Sequence, residues 1–311
     1  MTAHATGGAP GHASRPRPAP GLGRWIERHV SWCFVLPAVL FLAAVVAFPV
    51  LYTAGLSLFR WSGAATTSPA WVGLGNYGDV FSGDSGFRNA LWVTLYFTGV
   101  SVLIEVGLGV GLAQLLNREF VGKGVARTLL ILPVAGTPVA LALVWRQMYN
   151  PSNGIFVWFA ELLYLPPQRW LADANTVLPS LILFDVWQWT PLVMLITLAG
   201  LVSLPSDFYE AAQIDGATPW QVFWRITLPL IRPTVVAAAM LRFMDSVKTF
   251  DQIYVTTQGG PGIASQTLNL YVFDQAFQYL HFGYASALLV VLFFVILAGN
   301  LLLVSVRRGQ A

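Results

Sequence analysis

Long apolar runs, separated by short stretches rich in polar and turn residues, dominate this chain. A helix crossing a bilayer needs about 20 mostly apolar residues, because the hydrocarbon core is about 30 Å thick and a helix rises about 1.5 Å per residue. Six segments meet that requirement: Trp32–Phe59, Ala90–Leu116, Leu129–Met148, Val177–Leu204, Pro233–Val255 and Ala285–Val306. The pattern predicts an all-α, polytopic membrane protein with six transmembrane helices. Basic residues precede the first run, as in a secretory signal, but the run is too long for a signal core and reads as an uncleaved span. Met1–Gly23, rich in Pro, Gly, Ala and Arg, reads as a disordered cytoplasmic tail, leaving residues 24–311 as one transmembrane domain.

Composition agrees. The 311 residues would make about two soluble domains, but 56% are hydrophobic and 10% charged, against about 25% charged in soluble domains. So few charges cannot cover a water-facing surface, which excludes an ordinary cytosolic enzyme, and so apolar a chain is not disordered. The net charge of +3 comes from basic residues that are scattered or flank apolar runs, with no stripe to bind nucleic acid. Their placement gives the orientation. With the N-terminus inside, the cytoplasmic side carries Arg15, Arg17, Arg24, Arg28, Arg118, Lys123, Arg127, Arg225, Arg232, Arg307 and Arg308, while the outer side has Arg60, Arg88, Arg146 and Arg169. Eleven against four puts both termini in the cytoplasm. The lone Cys33 has no disulfide partner and reads as a small apolar residue in a span.

The long cytoplasmic segment, residues 205–232, differs from the spans. Ser206 or Asp207 can cap a short helix whose first turn holds Glu210, favourable at the positive end of the helix dipole. Gly216 ends it, Thr218 and Pro219 start a second helix, and Pro229 stops that one. Two short amphipathic helices around a glycine turn make either a docking knob or a packed connection between spans.

The residues of this segment carry a resemblance. Glu210, Ala211 and Ala212, then Gly216 after three intervening residues, then Ile226, Leu228 and Pro229 stand in the register of the signature of permease subunits of ATP-binding-cassette (ABC) importers. The longer form, Tyr209 to Ala212 with Ile214, Asp215, Gly216, Ala217 and Pro233, resembles the carbohydrate-uptake branch. Pro133, Pro138, Trp145, Met148, Tyr149, Asn150 and Gly154 resemble its third span. Lys248, Phe250, Asp251, Tyr254, Thr257, Gly259, Gly260 and Pro261, then Gly283, Tyr284 and Ala285, resemble its fifth span and following outer loop, in the form of the maltose- or glycerol-phosphate-type first permease. The resemblance implies the type I importer fold and a coupling helix, containing Glu210, Ala211, Ala212, Asp215 and Gly216, seated in a separate ATPase subunit. It implies further partners: a second homologous permease in a heterodimer, two ATPase subunits that hold ATP and Mg, and an external solute-binding protein. It places the chain in a bacterial or archaeal inner membrane, carrying a sugar, polyol or related small solute.

Residue chemistry adds constraints. No phosphate-binding Gly-x-x-x-x-Gly-Lys-Ser/Thr loop is present, since Gly122-Lys123-Gly124 lacks the spacing and the hydroxyl. His4, His12, His29 and His281 form no metal-ligand spacing, and no nucleophile–histidine arrangement appears. The chain reads as a non-catalytic permease with no cofactor of its own. Ionisable residues in spans are costly and mark function by default. The fifth span carries Arg242, Asp245, Lys248 and Asp251 at every third position with alternating sign, so that each can pair with the next. With Ser246, Thr249 and Gln252 they make either a lining for hydroxylated solutes or a self-neutralised structural ladder. Asp185 and Gln188, flanked by Trp187 and Trp189, join the candidate lining, whereas Glu105 reads as a buried polar link. Pro133 and Pro138 predict a kink or hinge in the third span, and Gly259-Gly260-Pro261-Gly262 a rigid outer turn. Two alternatives stay open: an ion-gradient-driven secondary transporter or channel, and an importer whose cargo is glycerol phosphate or an oligosaccharide.

Overall fold

A computed structural model describes residues 22–63, 68–164 and 169–308. The predicted tail lies almost entirely outside the described residues; its last two residues, Leu22 and Gly23, already belong to a helix. The chain divides into two compact units with a boundary between Tyr52 and Thr53. The first contains most of helix α1 (Leu22–Leu56), whose apolar stretch Phe34–Leu56 is long enough to cross a membrane.

The second unit begins with a two-residue antiparallel ladder, β1 (Phe59–Arg60) and β2 (Ala70–Trp71), pairing Phe59 with Trp71. It continues with α2 (Gly75–Ser82), α3 (Ser85–Leu116), α4 (Lys123–Ala135), α5 (Pro138–Met148), α6 (Ile155–Leu162) and α7 (Val177–Val202). After the short helices α8 (Asp207–Ile214) and α9 (Pro219–Val222), α10 (Leu228–Val247), α11 (Asp251–Thr256), α12 (Leu268–Phe273) and α13 (Phe282–Arg308) follow. Five helical runs are long and apolar enough to span, and α4 with α5 makes a sixth if the pair is one span.

The third span departs from expectation. It is a broken pair, not a kinked helix: α4 and α5 meet at 99°. Pro133 stays inside α4 near its end, and Pro138 opens α5 at its first turn. A proline disfavours helical backbone in the residue before it; Thr137 is accordingly extended (φ −67°, ψ 135°) and the helix stops there.

α3, α7 and α10 pack along their lengths, burying Ala113, Leu116, Met194, Leu198, Leu201 and Ile231 toward one end. Phe97, Leu181, Ile182, Val186, Ile253 and Leu270 fill the space among α3, α7, α11 and α12. The close approach of α3 to α7 depends on Gly109, where a Cβ would lie 2.7 Å from the Val193 side chain and 3.1 Å from the Met194 backbone nitrogen. Glu105 sits one turn before Gly109 on the same helical face.

Candidate functional site

Within the membrane-spanning region the charges form one rung of the expected ladder, Asp245 with Lys248, while Arg242 pairs elsewhere. Arg242, on α10, is 1% exposed and turns away from Asp245 to two carboxylates on neighbouring helices. Its Nε donates to Glu105 Oε2 at 2.7 Å and its Nη2 to Glu105 Oε1 at 2.9 Å, a two-pronged pairing with α3. Nη2 also donates to Asp185 Oδ2 on α7 at 3.1 Å. The guanidinium carbon lies 4.9 Å from the Trp189 ring centroid, where the aromatic face attracts a cation. Glu105 is thus the buried polar link expected of it, and Arg242 does not pair with its neighbour in sequence. A charge held in low dielectric is stable only when directly paired and hydrogen-bonded, and here carboxylates from two neighbouring helices hold the guanidinium.

The cluster has polar company. Gln188 is fully buried, and neither its amide oxygen nor its nitrogen has a partner among the described residues. The same holds for Ser101 Oγ, Asp185 Oδ1 and Gln252 Nε2. Ser246 Oγ donates to Thr98 Oγ1 at 3.2 Å, joining α10 to α3 beside the cluster.

The fifth span also ends earlier than its hydropathy predicts. α10 stops at Val247; Lys248 and Thr249 close it with tightened bonds to the carbonyls of Asp245 and Ser246, and a separate helix begins at Asp251. The freed Lys248 carbonyl accepts from Asn269 Nδ2 at 2.7 Å, so the break leaves no backbone acceptor wanting there. Lys248 pairs with Asp245 at 3.4 Å, both about half exposed. Asp251 is exposed and has no ion pair among the described residues.

The break opens a cavity of about 390 Å³ lined by Arg242, Asp245, Lys248, Thr249, Asp251 and Gln252, with Trp189 and Pro138. Six of the nine predicted lining residues thus converge on one space. Asp185, Gln188 and Ser246 are buried outside its lining. Of the two tryptophans flanking Gln188, Trp189 faces the cavity, and Trp187 packs on Trp145 with ring centroids 5.3 Å apart.

In the segment 205–232, α8 and α9 form as expected around Gly216. Ser206 occupies the cap position of α8 without a capping hydrogen bond, while Asp207 and Glu210 sit in the first turn. Gly216 is left-handed (φ +70°), with its own N–H on Gln213 O and that of Ala217 on Ala212 O, a Schellman ending. Thr218 and Gln221 cap α9 reciprocally. Pro229 does not stop this helix. A π turn at Phe223–Thr227 carries it into α10, so that residues 219–247 run as one helix. A widened turn accommodates the proline ring that would otherwise meet the carbonyl one turn back. Ala212 is buried, whereas Ile214 and Trp220 are strongly exposed.

Beyond the other end of the spans, the Gly259–Gly262 turn is pinned by Ser265, whose N–H donates to Gly259 O and whose hydroxyl donates to Gly260 O at 2.6 Å. Asp84, at the cap of α3, accepts from Phe87 N–H at 3.0 Å, from Tyr271 Oη at 2.6 Å and from Tyr284 Oη. Burial pushes this carboxyl upward, but the tyrosine and backbone hydrogen bonds outweigh it and hold the group below its ordinary value. Sequence spacing gave no signal for this tie, whose partners lie almost 200 positions away.

Residues 105–309 match the family described as binding-protein-dependent transport system inner membrane component. The chain belongs to that family. Among its relatives are the trehalose/maltose transport system permease protein MalF of Thermococcus litoralis, 35% identical and covering 92% of this chain and 96% of the relative. The trehalose transport system permease protein SugA of Mycobacterium tuberculosis is 36% identical, covering 87% and 86%. A chain of a bacterial ABC transporter involved in the import of the acidic polysaccharide alginate has the same fold, with a TM-score of 0.79 at 23% identity, covering 93% and 99%. The permease is a multi-pass inner-membrane subunit of an ABC importer and is not itself an enzyme. Membership in this family sets aside the gradient-driven transporter.

Proposed function

We propose that this permease lines the path of a neutral sugar or polyol, and that the cavity at the α10–α11 break is where its inner surface meets the solute. The observation that carries the reading is the convergence of Asp245, Lys248, Thr249, Asp251 and Gln252 with the Trp189 ring on one 390 Å³ space. Hydroxyls that lose water on entry need donors and acceptors in return, and an aromatic face suits the apolar side of a sugar ring. The charge pattern disfavours a phosphorylated cargo. Arg242 is committed to Glu105 and Asp185, Lys248 is paired with Asp245, and Asp251 adds a negative charge. The names of the trehalose and maltose relatives support the sugar class.

The partners follow from the same reading: a second, related permease, two ATPase subunits that bind ATP and Mg, and an external binding protein, in a bacterial or archaeal inner membrane. The α8–α9 loop, with Glu210, Ala211, Ala212, Asp215 and Gly216, docks in the ATPase. Mild-detergent isolation through a tag on this chain, with co-purifying chains identified, tests the assembly. Uptake of labelled trehalose, maltose and glycerol phosphate by Asp245→Asn and Lys248→Met, with assembly verified, tests the cavity. Altered sugar uptake in the variants is expected; unchanged kinetics in both would overturn the assignment.

A further inference from the structure

A second cavity, of about 540 Å³, lies between the end of α5, the loop that leads into α7 and the end of α11. Its lining differs in charge from that of the cavity at the α10–α11 break. It contains Arg146 and Arg169 and no carboxylate. Arg146 makes only a long contact, Nη1 to Val255 O at 3.4 Å, and neither arginine has an ion pair among the described residues.

The loop-charge pattern makes this concentration informative. Basic residues are sparse on the outer side, where only Arg60, Arg88, Arg146 and Arg169 fall. Arg60 is paired with Asp79 at 2.9 Å. Two of the remaining three converge on one cavity, and neither has an ion pair among the described residues. A third observation points the same way. Trp170 lines the cavity, and its indole N–H is buried without an acceptor among the described residues, a state that costs free energy unless something accepts its hydrogen bond. Asn150, also in the lining, gives its carboxamide oxygen to Ser152 N–H, so its amide nitrogen is the donor that remains. Two guanidinium forks and two neutral donors, with no anionic group among them, form a receptor for an oxyanion, because guanidinium matches the planar spacing of phosphate and carboxylate oxygens.

We infer that this cavity binds a phosphate group, supplied by a phospholipid headgroup of the outer leaflet or by a soluble phosphate. The site is separate from the proposed solute cavity, and its test does not depend on transport. The importer complex is isolated in mild detergent through a tag on this chain. Bound phospholipid per complex is measured by mass spectrometry, and the thermal unfolding midpoint is read with inorganic phosphate against chloride at equal ionic strength. The double variant Arg146→Gln, Arg169→Gln is compared with the wild type, as is Trp170→Phe, which keeps both charges and removes the indole donor. If the double variant does not assemble, its two single substitutions replace it.

A lipid source predicts phospholipid retained by the wild type through detergent washing, lost in the arginine variants, and no response to phosphate. A soluble source predicts a raised midpoint in phosphate that the arginine variants lack. In either case loss of a charge-assisted contact weakens binding about tenfold per arginine, and Trp170→Phe gives a smaller loss. A wild-type complex that holds no phospholipid and ignores phosphate overturns the inference. So do arginine variants that bind as the wild type does.

Discussion

The α8–α9 loop and the Arg242 cluster are both candidate working parts, and they are built in opposite ways. The loop is assembled from neighbours in sequence: a Schellman ending at Gly216, a reciprocal cap between Thr218 and Gln221, and apolar side chains left facing outward at Ile214 and Trp220. The cluster joins residues 57 and 137 positions apart, fully enclosed, from three helices. One region carries its specification within some 30 residues, and the other exists only when α3, α7 and α10 are packed. Damage should therefore show in different places, as lost coupling in the first and lost assembly in the second.

The largest expected effect is in the cluster. Arg242→Met leaves Glu105 and Asp185 buried without a cation, which costs about 3–5 kcal/mol; a sharp fall in assembled complex and in its unfolding midpoint checks it. The combined change Glu105→Leu, Asp185→Leu, Arg242→Met should recover most of that stability, because a buried ion cluster replaced by apolar residues is often neutral. Recovery of stability without recovery of uptake would show that the cluster serves more than packing.

Gly216→Trp sharpens the contrast. Open space surrounds Gly216, so the cost is the left-handed backbone, about 1–2 kcal/mol and local. Membrane insertion should be unchanged and uptake abolished, measured by quantified membrane fractions and labelled solute. Surviving transport would break the docking assignment.

Smaller still is an acid effect at Asp84. Its carboxyl sits below the ordinary value of 3.8 when folded, so it contributes stability above that value, lost as pH falls through the lower folded value. Unfolding midpoints measured from about pH 5 downward should fall in the wild type, and Asp84→Asn should flatten the part due to this group. The half-exposed Asp245–Lys248 pair should matter least to stability: either single substitution costs under about 1 kcal/mol, even where uptake changes.

The contrast also explains what could be read from sequence. Spans one, two, four and six were legible because hydropathy over 20 residues is a local property, and the loop because caps and glycine turns are local too. The break in α10 was not, since Thr249 and Phe250 interrupt the helix without a proline or glycine. The pairing of Arg242 was missed because alternating charges at i and i+3 offered a nearer solution. The available signal was Glu105 itself: a carboxylate alone in a span requires a cation from another helix. Pro133 and Pro138 marked the third span correctly as irregular, but the 99° angle depends on the extended Thr137 between two short helices.

The π turn at Phe223–Thr227 has a mechanical meaning. Because it keeps the helix continuous past Pro229, the run from Pro219 to Val247 is a single 29-residue rod, about 43 Å long at 1.5 Å per residue. One end lies in the α8–α9 loop, and the other carries Arg242 and borders the cavity at the α10–α11 break. A rod of that length acts as a lever arm: a tilt of about 10° pivoted at one end sweeps the other through about 8 Å. Had Pro229 severed the helix, the same push would have been absorbed in a joint.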